Sequence, residues 1–228
     1  MRPSSDQQIE GSSSINKAFE GAASELRELN WFDASAVHRA TRQLLDVASG
    51  QALSLLVERA VSDPPLVSLS ESLKWCDKLV LHDDPSGFRL RIHLFRPEYV
   101  DVPHSHRGSF TALILRGGYE HYFWGPEQIV ASVGLPATPL AVRDERPGCA
   151  YTLAHDELHS FSAEPQTVSM VVRSPALKER SIQFNPVTQT TNWKYGAQME
   201  SAEERLAVAF TPDVACRSVG FLQQLGLV

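Results

Sequence analysis

The chain has 228 residues, 21 Lys+Arg against 27 Asp+Glu, and a formal net charge of −6. That length can bury one good core with a small accessory layer. The acidic balance, with no basic stripe, speaks against a nucleic-acid partner. No run approaches the roughly 18 consecutive apolar residues of a membrane span. The opening Met1-Arg2-Pro3-Ser4-Ser5-Asp6 carries no apolar leader. Cys76, Cys149 and Cys216 are scattered with no CxxC pair, which fits neither a disulfide framework nor a cysteine zinc site. The expected setting is cytoplasmic and reducing, with no membrane or nucleic-acid partner.

Residues 1–14 are Ser- and Gln-rich, and we expect a disordered tail there. A helical segment follows over 15–65. "NKAFEGAASELREL" sets Phe19, Ala22, Leu26 and Leu29 at helical spacing. "DASAVHRATRQLLDVASG" opens on Asp33, a good N-cap, and closes on Gly50, a good C-cap. "QALSLLVERAV" continues helically until Pro64-Pro65 stops it.

Beyond Pro65 the hydrophobic period changes from 3.6 to 2. "KLVLHD", "FRLRIHLF", "TALILRG", "YEHYFW", "PLAVRD", "AYTLA", "VSMVVRS" and "RSIQFNP" read as short strands, separated by turns such as Asp83-Asp84-Pro85, Gly117-Gly118, Gly125-Pro126 and Pro147-Gly148. Many short strands at regular spacing predict a mainly β sandwich or barrel over 66–190. "SAEERLAVAF" and "SVGFLQQLGL" predict helices in a C-terminal extension, 191–228. No internal repeat is visible.

"VPHSHRGSF" places His104 and His106 two apart in a β-prone run. Residues i and i+2 of a strand share a face, so two imidazoles so placed can lean onto one metal, with a third ligand arriving from a neighbouring strand. "HDELH", residues 155–159, offers that ligand in His159. A helical metalloprotease site needs H-E-x-x-H. Here Asp156 follows His155, and "CAYTL" upstream is β-prone. The retention-signal letters within "HDELH" are read only at a C-terminus, and the chain continues to Val228. His155 is expected in the turn beside the site, as a candidate catalytic residue.

The spacing resembles the cupin superfamily. Its first motif is G-x5-H-x-H-x4-E-x6-G, and His104, His106 and Gly118 match it; Thr111 stands at the Glu position and Glu98 at the leading Gly. Its second motif is G-x5-P-x-G-x2-H-x3-N, and Gly148 and His159 match it; Ala154, Asp156 and Ala163 replace the remaining letters. The likeness covers roughly Lys78 to Pro186. It implies a double-stranded β-helix (jelly-roll barrel) carrying an N-terminal helical segment, with a metal on His104, His106 and His159. A three-His set without the Glu is similar to the cysteine dioxygenase-like group of thiol dioxygenases. That resemblance implies Fe(II) as the cofactor, with Zn, Mn or Ni as other divalent choices, O₂ and a small molecule as co-substrates, and often a homodimer. The sequence departs from that group at three places. Thr111 stands at its crosslinking Cys position. Arg173, before Ser174-Pro175, stands at its active-site Tyr. No Arg occupies the Cys76–Asp77 region where that group holds an amino-acid carboxylate.

The function this implies is a non-haem Fe(II) dioxygenase acting on a small, anionic organic molecule. The alternatives are a non-redox metal cupin, an isomerase or lyase, and a small-molecule binding module without catalysis. Thr111 is expected to face the metal as a weak, catalytic-site neighbour, or else to be a small β-former chosen for packing. "FRLRIHLF" alternates, with Phe88, Leu90, Ile92 and Leu94 on one face and Arg89, Arg91, His93 and Phe95 on the other. Either the apolar face lines the barrel and the arginines meet water, or the helices cover the apolar face. In the second case Arg91, His93 and Arg173 enter the cavity as substrate-binding groups.

Overall fold

The computed structural model describes residues 5–50, 52–196 and 199–228. Four helices come first: α1 (Ser5–Arg27), α2 (Ala34–Ser49), α3 (Ala52–Ser62) and α4 (Pro64–Leu69). The expected disordered tail is corrected by α1, which takes in residues 5–14; residues 1–4 lie outside the described residues. Gln and Glu in "SDQQIEG" are good helix formers, and the helix they extend is anchored by buried Phe19, Ala22, Ala23 and Leu26. Asp33 caps α2 as expected, accepting from the amides of Ser35 and Ala36.

The β half comprises β1 (Glu71–Ser72), β2 (Cys76–Asp83), β3 (Arg89–Phe95), β4 (Tyr99–Val100), β5 (Phe110–Arg116), β6 (Tyr119–Pro126), helix α5 (Glu127–Val133), β7 (Ala141–Glu145), β8 (Ala150–Leu153), β9 (Glu157–Ala163) and β10 (Val168–Arg173). A hairpin of β11 (Arg180–Asn185) and β12 (Thr190–Tyr195) follows, then α6 (Ala202–Ala207) and α7 (Pro212–Gln224). One sheet has the order β1-β2-β3-β10-β5-β8 and the other β4-β9-β6-β7, all antiparallel. From β3 to β10 the chain crosses between the two sheets at each step except β6 to β7. This is the double-stranded β-helix expected from the sequence.

The outer face of the larger sheet is apolar. Leu90, Ile92 and Leu94 of β3 and Val168, Met170 and Val172 of β10 share one core cluster with Leu44 and Leu45 of α2, Leu53 and Val57 of α3, and Val214 and Leu222 of α7. The helices cover the barrel from outside, so the second of the two faces offered by β3 turns inward. Inside lies a second, aromatic-rich cluster, with Phe95, Phe110, Tyr119 and Tyr151 among its members.

Candidate metal centre

His104 and His106 lie on the segment between β4 and β5, which runs in register with β9. His104 N donates to His159 O at 2.8 Å, and His159 N returns to His104 O at 2.9 Å. On its other side the segment meets β11: Ser105 N donates to Ile182 O at 2.9 Å and Ile182 N to Ser105 Oγ at 3.1 Å. The HxH run is thus held between two strands. Gly108 lets it turn away towards β5, because a Cβ there would come 2.7 Å from Pro175 O.

One nitrogen from each of His104, His106 and His159 lies within 4.8 Å of the others. His106 Nε2 and His159 Nε2 are 2.8 Å apart. Two donors at right angles on one divalent ion, each with a bond of about 2.0–2.1 Å, would stand roughly that far apart. The outer nitrogens are held as well. His104 Nδ1 donates to Val102 O at 3.0 Å, with Asp101 Oδ2 at 3.3 Å. His159 Nδ1 meets His121 Nε2 at 2.8 Å, and His121 Nδ1 faces Glu145 Oε1 at 3.7 Å. A proton on His159 Nδ1 donates to His121 Nε2 and leaves His159 Nε2 a free lone pair, while His121 Nδ1 and Glu145 Oε1 are buried without a hydrogen-bond partner among the described residues. Ligand imidazoles held by carboxylates and carbonyls in this way are typical of metal sites. Burial pushes His106 and His159 well below the ordinary imidazole range, and the neighbouring histidines push the same way. Both are therefore neutral, as metal ligands must be. The donor set fits a divalent ion.

Thr111 does not face this site. Its hydroxyl points outward to Thr41 Oγ1 of α2 at 2.6 Å and to Thr152 Oγ1 at 2.7 Å, and His38 Nδ1 extends the chain to Thr152 at 2.9 Å. The inward position is its neighbour Phe110, whose ring lies 4.7 Å from that of His106 and 5.8 Å from that of His159. His155 is also corrected. It sits in the β8–β9 turn with its ring edge-on to Phe32 at 5.3 Å, and it does not line the cavity. The turn places it on the outer, helix side.

The imidazoles open onto a cavity of about 180 Å³ that Arg91, His93 and Arg173 also line, with Lys78, Trp75 and Phe161. Arg91 Nε, His93 Nε2 and Arg173 Nε are buried without hydrogen-bond partners among the described residues. His121, Glu145 and Asp101 were not singled out from sequence. The alternation in "YEHYFW" puts His121 on the face of Tyr119 and Phe123, which was the available signal.

No protein-family model and no curated protein sequence matches the chain. Among solved structures it is similar to ectoine synthase from P. lautus (19% identity, 54% of this chain and 77% of that one, TM-score 0.39). It is similar to KdgF from Halomonas sp. (19% identity, 45% and 81%, TM-score 0.36). A third is an RmlC-like cupin protein from Desulfovibrio desulfuricans (17% identity, 45% and 84%, TM-score 0.34). At these scores the likenesses carry no argument about activity, and what the chain itself presents is a three-histidine, metal-competent cluster inside a double-stranded β-helix.

Proposed function

We propose that the chain is a non-haem Fe(II) dioxygenase acting on a small organic anion held in the cavity beside His104, His106 and His159. The observation that carries this reading is the donor set: three clustered imidazoles with a phenyl ring, Phe110, where a fourth ligand could enter from β5. His104, His106 and His159 would hold an Fe(II) ion without neutralising its charge, and the ion would supply O₂ and substrate activation.

The chain's own groups do the rest. Val102 O and Asp101 fix the His104 ring with its Nε2 turned inward. His121 fixes His159. The rings of Phe110, Tyr151 and Phe161 wall the imidazoles from water. Arg91 and Arg173 supply positive charge for an acid group. An isomerase or lyase using the same metal would have no need of oxygen, and oxygen separates the two.

The experiment is metal analysis of the purified protein, followed by oxygen-electrode assays of the Fe(II)-loaded protein against a library of small acids. We expect one divalent ion per chain, lost in His106→Ala and kept in His38→Ala and His82→Ala. We also expect O₂ consumption that tracks substrate loss. Turnover of an acid at the same rate without oxygen would replace this reading with the non-redox one.

A further inference from the structure

Arg91 pairs with Val171 across β3 and β10, so Arg173, two residues along β10, is its diagonal neighbour on the inner face. Lys78 joins them from β2, paired with His93. Three cationic side chains thus line one region of the cavity. Burial holds His93 well below the ordinary imidazole range, with Lys78 and Arg91 pushing the same way, so His93 adds no charge. Burial also lowers Arg173, to about 10, and the nearby Arg91 contributes.

Acids do not balance this region. Asp101 lines the cavity but already accepts from Tyr99 Oη at 3.1 Å and Val102 N at 2.8 Å, with His104 Nδ1 at 3.3 Å. Glu71 is shared between Lys78 at 3.5 Å and Arg91 at 3.7 Å. Arg173 has no carboxylate within ion-pair distance among the described residues, and its Nε is buried and unpartnered. A partly buried guanidinium whose Nε has no partner is costly unless an anion meets it.

The remaining walls are mostly rings, Trp75, Phe95, Phe110, Tyr151 and Phe161, with Val171 and Ser174 between them and Arg107 as a further cation. The Tyr119 hydroxyl is taken by Ser169 Oγ at 2.7 Å. Lys78 Nζ already lies over Trp75, 5.4 Å from the ring centroid, so that cation–π seat is filled.

We infer that the cavity selects a small acid with a carboxylate seated on Arg91 and Arg173, an apolar ring-sized body against the aromatic walls, and no ammonium group. The planar guanidinium fork matches a carboxylate in two parallel hydrogen bonds. An ammonium would be buried beside two guanidiniums with no free carboxylate to accept it. Zwitterionic amino acids are thereby excluded as ligands, although they carry the same acid group. This deepens the proposed function and rests on its reading of the cavity as the substrate site.

The test uses calorimetric titration of the metal-free protein with phenylacetate, phenylglycine and benzylamine, which share a ring and differ in charge. Phenylacetate should bind at least about tenfold more tightly than either amine-bearing probe. Arg173→Gln should weaken phenylacetate by about tenfold or more while metal content and melting temperature stay close to wild type. Arg91→Gln repeats the test from the other strand. Phenylglycine binding as tightly as phenylacetate overturns the inference. So does failure of phenylacetate to bind, or wild-type affinity in both arginine variants. Acid binding at the arginines with no oxygen consumption by the iron-loaded protein supports this inference and overturns the dioxygenase reading. Oxygen-dependent turnover of a zwitterion by the iron-loaded wild-type protein does the reverse.

Discussion

Phe110 and Thr111 are adjacent on β5 and lie on opposite sides of the sheet. Counting along the motif puts Thr111 at the metal, but a shift of one residue in a strand exchanges inside for outside. The hydroxyl therefore belongs to a chain, His38–Thr152–Thr111–Thr41, that ties α2 to the barrel. Thr111→Val should keep full metal content and lose about 1–3 kcal/mol of stability to chemical denaturation. Thr111→Glu should add no ligand and cost more, since it buries a carboxylate under α2. Metal loss in Thr111→Val at unchanged stability would return Thr111 to the site. The HxH pair was legible because the i, i+2 rule is local. His121 was not, because its partner is set by the β6–β9 register, which opposes Phe123 to His159 and His121 to Phe161. Its role has its own measurement: His121→Phe should weaken metal binding about 10–100-fold in a chelator competition. Undiminished affinity there would make His121 a packing residue only.

At the level of elements, the alternation in β3 was readable but its direction was not. An isolated strand does not say which face is inside; the apolar stripes of α1 to α4 decide it by covering Leu90, Ile92 and Leu94. β11 was legible in "RSIQFNP", but α5 and β12 left weaker traces. α5 buries Val130 alone, and β12 is exposed along most of its length, so neither shows a clear hydrophobic period. The junction between the helical layer and the β2–β3 turn depends on Asp84, whose side chain is 1% exposed and meets Arg27 at 3.1 Å. Burial alone would raise its carboxyl. Hydrogen bonding from Ser86 and the Arg27 guanidinium outweigh that and hold it below the usual carboxylate value. A depressed folded-state value means stability that is present above the unfolded carboxylate pKa of about 3.9 and lost as pH falls through the folded value. Asp84→Asn should therefore be less stable than wild type at pH 7, by about 1–3 kcal/mol. The gap should narrow in urea titrations as the pH is lowered below the unfolded carboxylate value of about 3.9 and through the folded value. A gap of the same size at both pH values would show that the charge is not what matters.

Across the whole molecule, the change of period at Pro65 announced a helical half and a β half. It did not show that α7 returns to the first helices, with Val214 and Leu222 in the cluster that holds Leu44 and Leu53. That closure depends on contacts between distant parts of the chain, and local periodicity does not encode them. The same distance governs the imidazoles. His106 and His159 are 53 positions apart, and they meet only when the HxH segment docks on β9. Closing so long a loop has an entropic cost that must be met before any ion can be shared. No fragment of the chain displays the trio, so an unfolded chain gains nothing from the ion on its way to the native state. The ion should act as a brake on escape and leave entry unaided. In a chevron measured with saturating divalent ion, the unfolding limb should drop by the full binding free energy while the folding limb stays where it was. Faster folding with the ion would mean that β9 and the HxH segment are already together at the barrier.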